Sequence, residues 1–145
     1  MSTEWKEITA EWQGGLTFVG KNPAGGSVQI GEIDGKPGIG PMELLLAGVA
    51  GCTGYDIVSI LKKKKQPLMD FRVIARGKRA DDYPMVYTEI EIEYLLWGEG
   101  LSPKAIEQAI QLSEDKYCSA SAMMAKTAEI RSTYRIIAPK EKGAL

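Results

Sequence analysis

Apolar and polar residues alternate along two long stretches in the middle of the chain. Over residues 71–79 the odd positions up to Gly77 are apolar or small, and over residues 86–96 most even positions are apolar. A repeat of two is typical of half-buried strands, so both stretches are predicted as strands, with Val86 facing the core. We predict an antiparallel hairpin in which paired residue numbers sum to 165 or 167. Its charged faces then meet, with Arg72 and Arg76 opposite Glu89, Glu91 and Glu93.

The segment from residue 41 to residue 64 is predicted as one long helix whose first half has no polar face. At about 100° per residue, the apolar residues from Leu44 to Ala50 point in every direction around the helix axis. Glycines at positions 48, 51 and 54 would let another backbone approach closely. A small chain has difficulty burying such a helix alone, so we predict that a second subunit helps to cover it.

The remaining elements follow from turn residues and helix-start signals. Three short strands are predicted near residues 8–12, 16–19 and 27–30, before a Gly- and Pro-rich loop. Ser102 and Pro103 are typical of a helix start, and this helix is predicted to run to about Tyr117. A short helix over 119–126 and a strand over 129–137 complete the chain. Predicted inward-facing residues are Ile106, Ala109 and Ile110 in the helix and Ile130, Tyr134 and Ile136 in the strand. The order βββ-α-ββ-α(α)-β predicts an α+β fold in a single domain over residues 1–145.

Composition narrows the function classes. The chain has 145 residues, of which 44% are hydrophobic and 26% charged, as in soluble globular proteins. A net charge of −1 gives no reason to expect a nucleic-acid partner. The longest uncharged apolar stretch, residues 44–55, is shorter than the roughly 20 residues of a membrane span, so no membrane partner is expected. The polar start of the chain does not resemble a secretory signal, and we expect a cytoplasmic protein.

The chain contains no histidine and two cysteines. This excludes a Ser-His-Asp triad and zinc catalysis through imidazoles, and two thiolates cannot form an all-cysteine metal site. We therefore expect neither a metal nor a cofactor. Proton chemistry near neutral pH falls to a cysteine, a lysine or a carboxylate whose pKa is perturbed.

The two cysteines are the candidate nucleophiles. Cys52 lies in the Gly-rich half of the long helix, and Cys118 directly precedes the short helix, whose amides are expected to lower its pKa. A cysteine pair with one activated thiol is the arrangement of a thiol peroxidase. Buried free cysteines are also common in protein cores, and the spacing of these two does not establish that they meet.

The residues around both cysteines resemble those of a known family. The segment Gly40-Pro41-Met42-Glu43-Leu44-Leu45-Leu46-Ala47, continued by Ala50-Gly51-Cys52-Thr53, is similar to the central-helix motif of the OsmC/Ohr proteins, and Tyr117-Cys118 is similar to their second cysteine motif. The resemblance implies an OsmC-like fold, in which two central cysteine-bearing helices are wrapped by antiparallel sheets in an intertwined homodimer. It also implies an oxidative-stress peroxidase that reduces organic hydroperoxides and is restored by a dithiol reductant. In that role Cys52 attacks the peroxide and Cys118 resolves the product as a disulfide.

Two positions differ from the peroxidase pattern of that family. Met42 stands where those enzymes carry a carboxylate, which makes the adjacent Glu43 the candidate for its role. Leu16 stands where they carry an arginine after a Gly-Gly pair, and Lys21 is the nearest following cation. We therefore expect slow reaction near neutral pH, faster as the pH rises. Two alternatives stay open, namely a non-enzymatic binder of a small apolar ligand at the dimer interface and a thiol redox sensor.

Overall fold

A computed structural model describes residues 4–138 of the chain. The element order is the one that the sequence predicts, with six strands and three α-helices among these residues. The strands are β1 (Thr9–Trp12), β2 (Thr17–Lys21), β3 (Ser27–Gly31), β4 (Asp70–Arg79), β5 (Tyr87–Trp97) and β6 (Glu129–Ile137). The helices are α1 (Pro41–Lys63), α2 (Pro103–Leu112) and α3 (Ser119–Met124), with a π-helical turn, Ser113–Tyr117, between α2 and α3. The α+β class is confirmed.

The chain divides into two compact units, residues 4–45 and residues 46–138. In the first, β1, β2 and β3 form an antiparallel sheet in that order. Several of its large apolar side chains are exposed in the single chain, among them Trp12 and Leu16. The salt bridge between Lys21 Nζ and Glu11 Oε1, at 2.9 Å, joins neighbouring strands of this sheet.

Helix α1 buries one stripe along its length. Its buried residues recur at every fourth position, Val49, Thr53, Ile57 and Leu61. Beside this stripe, Gly54 faces β4, since a Cβ atom added there would lie 3.6 Å from Val73 Cγ2 and 3.9 Å from Phe71 Cε2. The opposite side of the helix is exposed in the chain itself, so the all-round burial inferred from the sequence is not achieved within one chain. By length and composition alone α1 could also cross a membrane, a property that core helices of soluble proteins share.

The second unit contains the predicted hairpin. Strands β4 and β5 pair antiparallel with residue numbers that sum to 167, as in Arg76↔Glu91, which confirms one of the two expected registers. Arg76 Nη2 and Glu91 Oε2 lie 2.6 Å apart. Arg72 is the exception, because in this register it pairs with Leu95 and not with a glutamate. Its guanidinium lies over the Trp97 ring, 5.1 Å from the centroid. The prediction that Arg72 meets a glutamate is therefore wrong.

A bulge ends the regular pairing of this hairpin. The register shifts between Lys78 and Arg79, where Arg79 pairs with Tyr87. The shift reverses which residues face the core, since one extra residue inverts the alternation of sides. Tyr87 is buried and Val86 is exposed, so the prediction that Val86 faces the core is wrong. Gly77 makes room for this arrangement, because a Cβ atom there would lie 2.5 Å from the Tyr87 ring.

Strand β6 joins the other edge of β5 in parallel orientation. The second sheet, in the order β4-β5-β6, is therefore mixed, whereas the family resemblance implied antiparallel sheets. A parallel pair requires a long crossover, which α2, the π turn and α3 supply. At the end of β6, Ile137 is buried with Leu95 and Trp97, and Ile136 is exposed, so the predicted inward face is wrong at Ile136.

The second helix is shorter than predicted. Ser102 caps its N-terminus by accepting a hydrogen bond from the Ala105 amide, and Ile106, Ala109 and Ile110 form its buried stripe, as expected. The α-helical pattern ends at Leu112 and continues as the π turn up to Tyr117. The N–H of Cys118 closes this turn by donating to the Ser113 carbonyl oxygen at 2.7 Å. Cys118 thus lies at a junction between two elements.

Candidate active site

Cys52 lies in the middle of α1 and is half-buried. Its neighbour Thr53 belongs to the buried stripe of the helix, and Gly51 on its other side is exposed. Successive residues of an α-helix point about 100° apart, so the Cys52 side chain projects beside the buried stripe. A thiol in that position combines partial shielding from water with access from outside the chain.

Cys118 is almost fully buried, with 3% of its surface exposed. It is the N-terminal cap of α3, and its Sγ accepts two hydrogen bonds from Ser121, one from the amide at 3.3 Å and one from the hydroxyl at 3.0 Å. Ser121 is itself buried. Both bonds favour the thiolate, because a negatively charged sulfur is the better acceptor.

The pKa of Cys118 is nevertheless raised above the usual range of a thiol. Burial is the largest cause, because it penalises the charged form, and the nearby side chain and charge of Cys52 act in the same direction. The two hydrogen bonds from Ser121 act in the opposite direction and are outweighed. The Ser121 amide lowers the pKa, as predicted, but the predicted net lowering is wrong, because burial outweighs it.

The structure brings the two cysteines together. The side chain of Cys52 lies close enough to the Cys118 thiol to raise its pKa, and both thiols are free. This proximity links α1 to the start of α3 across a wide sequence separation. A disulfide between the two cysteines stays a prediction.

A buried network of hydroxyl groups adjoins the two cysteines. Thr53 Oγ1 lies 2.9 Å from Tyr94 Oη and 2.8 Å from Ser113 Oγ. The Ser113 hydroxyl donates to Asp56 Oδ2 at 2.9 Å. Thr53, Tyr94 and Ser113 are each 0% exposed. Buried hydroxyls cost free energy unless they are paired, and here each of the three has a partner.

The network reaches a second carboxylate at its other end. The Tyr94 hydroxyl donates to Glu114 Oε1 at 3.3 Å. Burial raises the pKa of Tyr94, and the negative charges of Glu114 and Cys118 act in the same direction. The effect of Cys118 on this phenol indicates that the network lies close enough to the thiol for their charges to interact.

Sequence reasoning did not identify this network. One signal was available, because Thr53 is a polar residue in a stripe of otherwise apolar residues at every fourth position of α1. Its partners come from β5 and from the π turn, which are remote in the sequence. No local pattern links them.

The candidate residues of the first unit have partners there. The carboxylate of Glu43 accepts a hydrogen bond from the Gly40 amide at 2.9 Å and so caps the N-terminus of α1. Lys21, the nearest cation after the Gly-Gly pair, bonds to Glu11. A role of Glu43 at the cysteines stays a prediction.

A cleft of about 420 Å³ opens beside Asp56, along the C-terminal half of α1 and the residues before Cys118. Its lining combines apolar, hydroxyl and charged side chains, namely Asp56, Ser59, Ile60, Lys63, Lys64, Leu112 and Tyr117. Asp56 therefore connects the buried network to a space of small-molecule size.

Comparisons with known proteins agree with this fold. Residues 33–133 match the family model described as OsmC-like protein. The chain is 33% identical to Protein YhfA of Escherichia coli K12 over 132 residues, which cover 91% of this chain and 98% of that protein. A solved structure of a hypothetical protein from Aquifex aeolicus VF5 is 38% identical, covers 94% of this chain and 98% of its own, and superposes with a TM-score of 0.83.

More distant structures share the fold. The organic hydroperoxide resistance protein OhrB of Bacillus subtilis is 16% identical, with a TM-score of 0.62 over 92% of this chain and 100% of its own. The family match covers both cysteines and the residues that surround them in the second unit. The protein is accordingly a member of the OsmC-like family.

Proposed function

We propose that this protein is a thiol-dependent peroxidase that reduces organic hydroperoxides through Cys52 and Cys118. The observation that carries the proposal is the proximity of two free thiols held on different elements, where Cys52 acts on the pKa of Cys118. OhrB of Bacillus subtilis, which shares the fold, is an organic hydroperoxide resistance protein, and this supports the substrate class. Oxidative-stress defence is the corresponding role.

The difference in burial supports the assignment of roles. Cys52 is half-buried and Cys118 almost fully buried, so an incoming hydroperoxide has better access to Cys52. The thiolate of Cys52 attacks the outer peroxide oxygen, the O–O bond breaks, and the alkoxide takes up a proton to leave as the alcohol. Cys52 is left as a sulfenic acid.

The second step uses the neighbouring thiol. Cys118 attacks the sulfur of the sulfenic acid, a disulfide forms, and the hydroxyl group leaves with a proton as water. A dithiol reductant then supplies two electrons and two protons and restores both thiols. The bonds from Ser121 to Cys118 Sγ stabilise the negative charge on this sulfur whenever it attacks or leaves.

A homodimer is part of the proposal. One side of α1 is apolar and exposed in the single chain, with Leu45 at 42%, Val58 at 44% and Tyr55 at 83% exposure. Gly48 and Gly51 are exposed on the same helix and add no side chains to its surface. A second copy of the chain seated here would remove this apolar surface from water, which is favourable in proportion to the area buried.

Two alternative functions predict different results. A binder of a small apolar ligand at the dimer interface would consume no peroxide, and a redox sensor would form the disulfide without repeated turnover. The test is the conversion of cumene hydroperoxide to its alcohol by the purified protein, with and without a dithiol reductant. The peroxidase proposal predicts many alcohol molecules per chain with reductant and about one without it. Absence of alcohol favours the binder, and a single turnover despite reductant favours the sensor.

A further inference from the structure

We propose that Ser113 and Thr53 are positioning residues that hold the thiol of Cys118 against the thiol of Cys52. The inference rests on the proposed function, because closure of a disulfide between these cysteines is its second step. The two hydroxyls connect the elements that carry the cysteines, and they do so inside the core.

Two side chains of α1 hold the Ser113 hydroxyl. Thr53 and Asp56 are three residues apart on α1 and therefore lie on the same side of the helix. The Ser113 hydroxyl lies between them, 2.8 Å from Thr53 Oγ1 and 2.9 Å from Asp56 Oδ2. Two directional contacts to one oxygen fix both the position and the rotation of the π turn against α1.

Ser113 is connected to Cys118 by a main-chain hydrogen bond. The Ser113 carbonyl oxygen accepts the Cys118 amide at 2.7 Å, so the wide turn brings Cys118 back against Ser113. A π turn at this place is a departure from regular helix, and such turns occur frequently at functional sites. Ser113 therefore holds Cys118 through its main chain and α1 through its side chain.

Thr53 is connected to Cys52 by the backbone of α1. These residues are adjacent on a regular helix, so a displacement of Thr53 also moves Cys52. The chain of contacts from Cys52 through Thr53 and Ser113 to Cys118 is short and buried throughout its hydroxyl part. A disulfide tolerates only a narrow range of separations and angles between its two residues, so this connection favours the geometry for closure.

The experiment measures how readily the disulfide closes, without any peroxide. Reduced protein is equilibrated with glutathione disulfide and glutathione, and alkylation followed by intact mass gives the fraction oxidised. Two electrons pass from the Cys52 and Cys118 thiols to glutathione disulfide, which yields the protein disulfide and two molecules of glutathione. The variants are Ser113→Ala, Thr53→Val and Thr53→Ser, and circular dichroism checks that each one folds.

The inference predicts a loss that depends on the hydroxyl groups. Ser113→Ala and Thr53→Val lower the equilibrium constant for closure about tenfold, or about 30 mV, while Thr53→Ser stays within about twofold of wild type. Ile90→Val is the control for a core defect, because Ile90 is fully buried in β5, and it leaves the constant unchanged. If Ser113→Ala fails to fold, the comparison of Thr53→Val with Thr53→Ser tests the inference. Valine keeps the shape of threonine without its hydroxyl, and serine keeps the hydroxyl.

Two results would overturn the inference. One is an equilibrium constant for Thr53→Val equal to that of Thr53→Ser. The other is a loss in Ile90→Val as large as that in Ser113→Ala. A different result would contradict the proposed function alone, namely that hydroperoxide is not consumed although glutathione disulfide forms the Cys52–Cys118 disulfide.

Discussion

Ser121 donates both its amide hydrogen and its hydroxyl hydrogen to the sulfur of Cys118, at 3.3 and 3.0 Å. These bonds oppose the effect of burial, which raises the pKa of the Cys118 thiol. The reactivity of Cys118 therefore depends on a balance between desolvation and two local donors. Removing one donor shifts that balance in a known direction.

Ser121→Ala is expected to raise the pKa of Cys118 further, because the thiolate loses its hydroxyl donor. A hydrogen bond to a charged group contributes about 1.5–3 kcal/mol, so the thiolate fraction at a given pH falls about tenfold or more. The measurement is the pH dependence of iodoacetamide alkylation in a Cys52→Ala background, where Cys118 is the remaining thiol. Ser119→Ala is the control, since Ser119 is exposed on the same helix. An unchanged alkylation profile in Ser121→Ala contradicts this account of the thiol.

Closure of the disulfide is expected to accelerate as the pH rises. The resolving step needs the Cys118 thiolate, and the pKa of that thiol lies above its ordinary value of 9.0. The rate constant for loss of the Cys52 sulfenic acid therefore increases up to and beyond pH 9, measured by quenched trapping with dimedone. A rate that levels off below pH 8 would contradict the effect of burial on Cys118.

The protein is expected to lose stability in alkali through Tyr94. Burial raises the pKa of Tyr94 above its ordinary value of 10.0, so the unfolded chain loses this proton at lower pH than the folded one. The stabilisation is complete below pH 10 and is lost as the pH rises through the folded-state pKa. Urea midpoints fall as the pH rises above 10 in wild type and fall less in Tyr94→Phe. Tyr83→Phe, at a position 88% exposed, is the control and should follow wild type.

If the proposed dimer forms, replacing glycines on the exposed face of α1 by alanine should stabilise the helix and weaken the association of two chains. Gly48 and Gly51 have nothing within 4 Å of a Cβ atom added in the single chain, so alanine is tolerated there. Each Gly→Ala change should favour the isolated helix by about 1 kcal/mol. If a second copy packs closely on this face, the double variant Gly48→Ala, Gly51→Ala weakens the dimer in sedimentation equilibrium. Gly54→Ala, which faces β4 of its own chain, is the control. A stable monomer of wild type at micromolar concentration contradicts the proposed dimer.

Much of the fold could be predicted from the sequence, because its signals are local. The alternation of β4 and β5 predicted two registers, one of which contains the observed pair Arg76↔Glu91, and Ser102 with Pro103 predicted the start of α2. The bulge beside Arg79 could not be predicted, because the burial of Tyr87 depends on space left by Gly77 on the neighbouring strand.

The site was harder to predict, because its properties arise from packing. Both cysteines were identified as candidates, but their proximity links elements that only the fold brings together. The direction of the pKa change at Cys118 was missed, because helix-end amides can be inferred from sequence and the extent of burial cannot. Thr53 was missed for the same reason, since its partners Tyr94 and Ser113 come from other elements.

The central claim is that Cys52 attacks the peroxide and Cys118 resolves the product. The most direct test is one equivalent of cumene hydroperoxide on wild type, Cys52→Ser and Cys118→Ser, followed by intact mass and dimedone labelling. The account predicts a disulfide in wild type, no peroxide loss in Cys52→Ser, and a labelled sulfenic acid on Cys52 in Cys118→Ser. Peroxide loss in Cys52→Ser as fast as in wild type would contradict it.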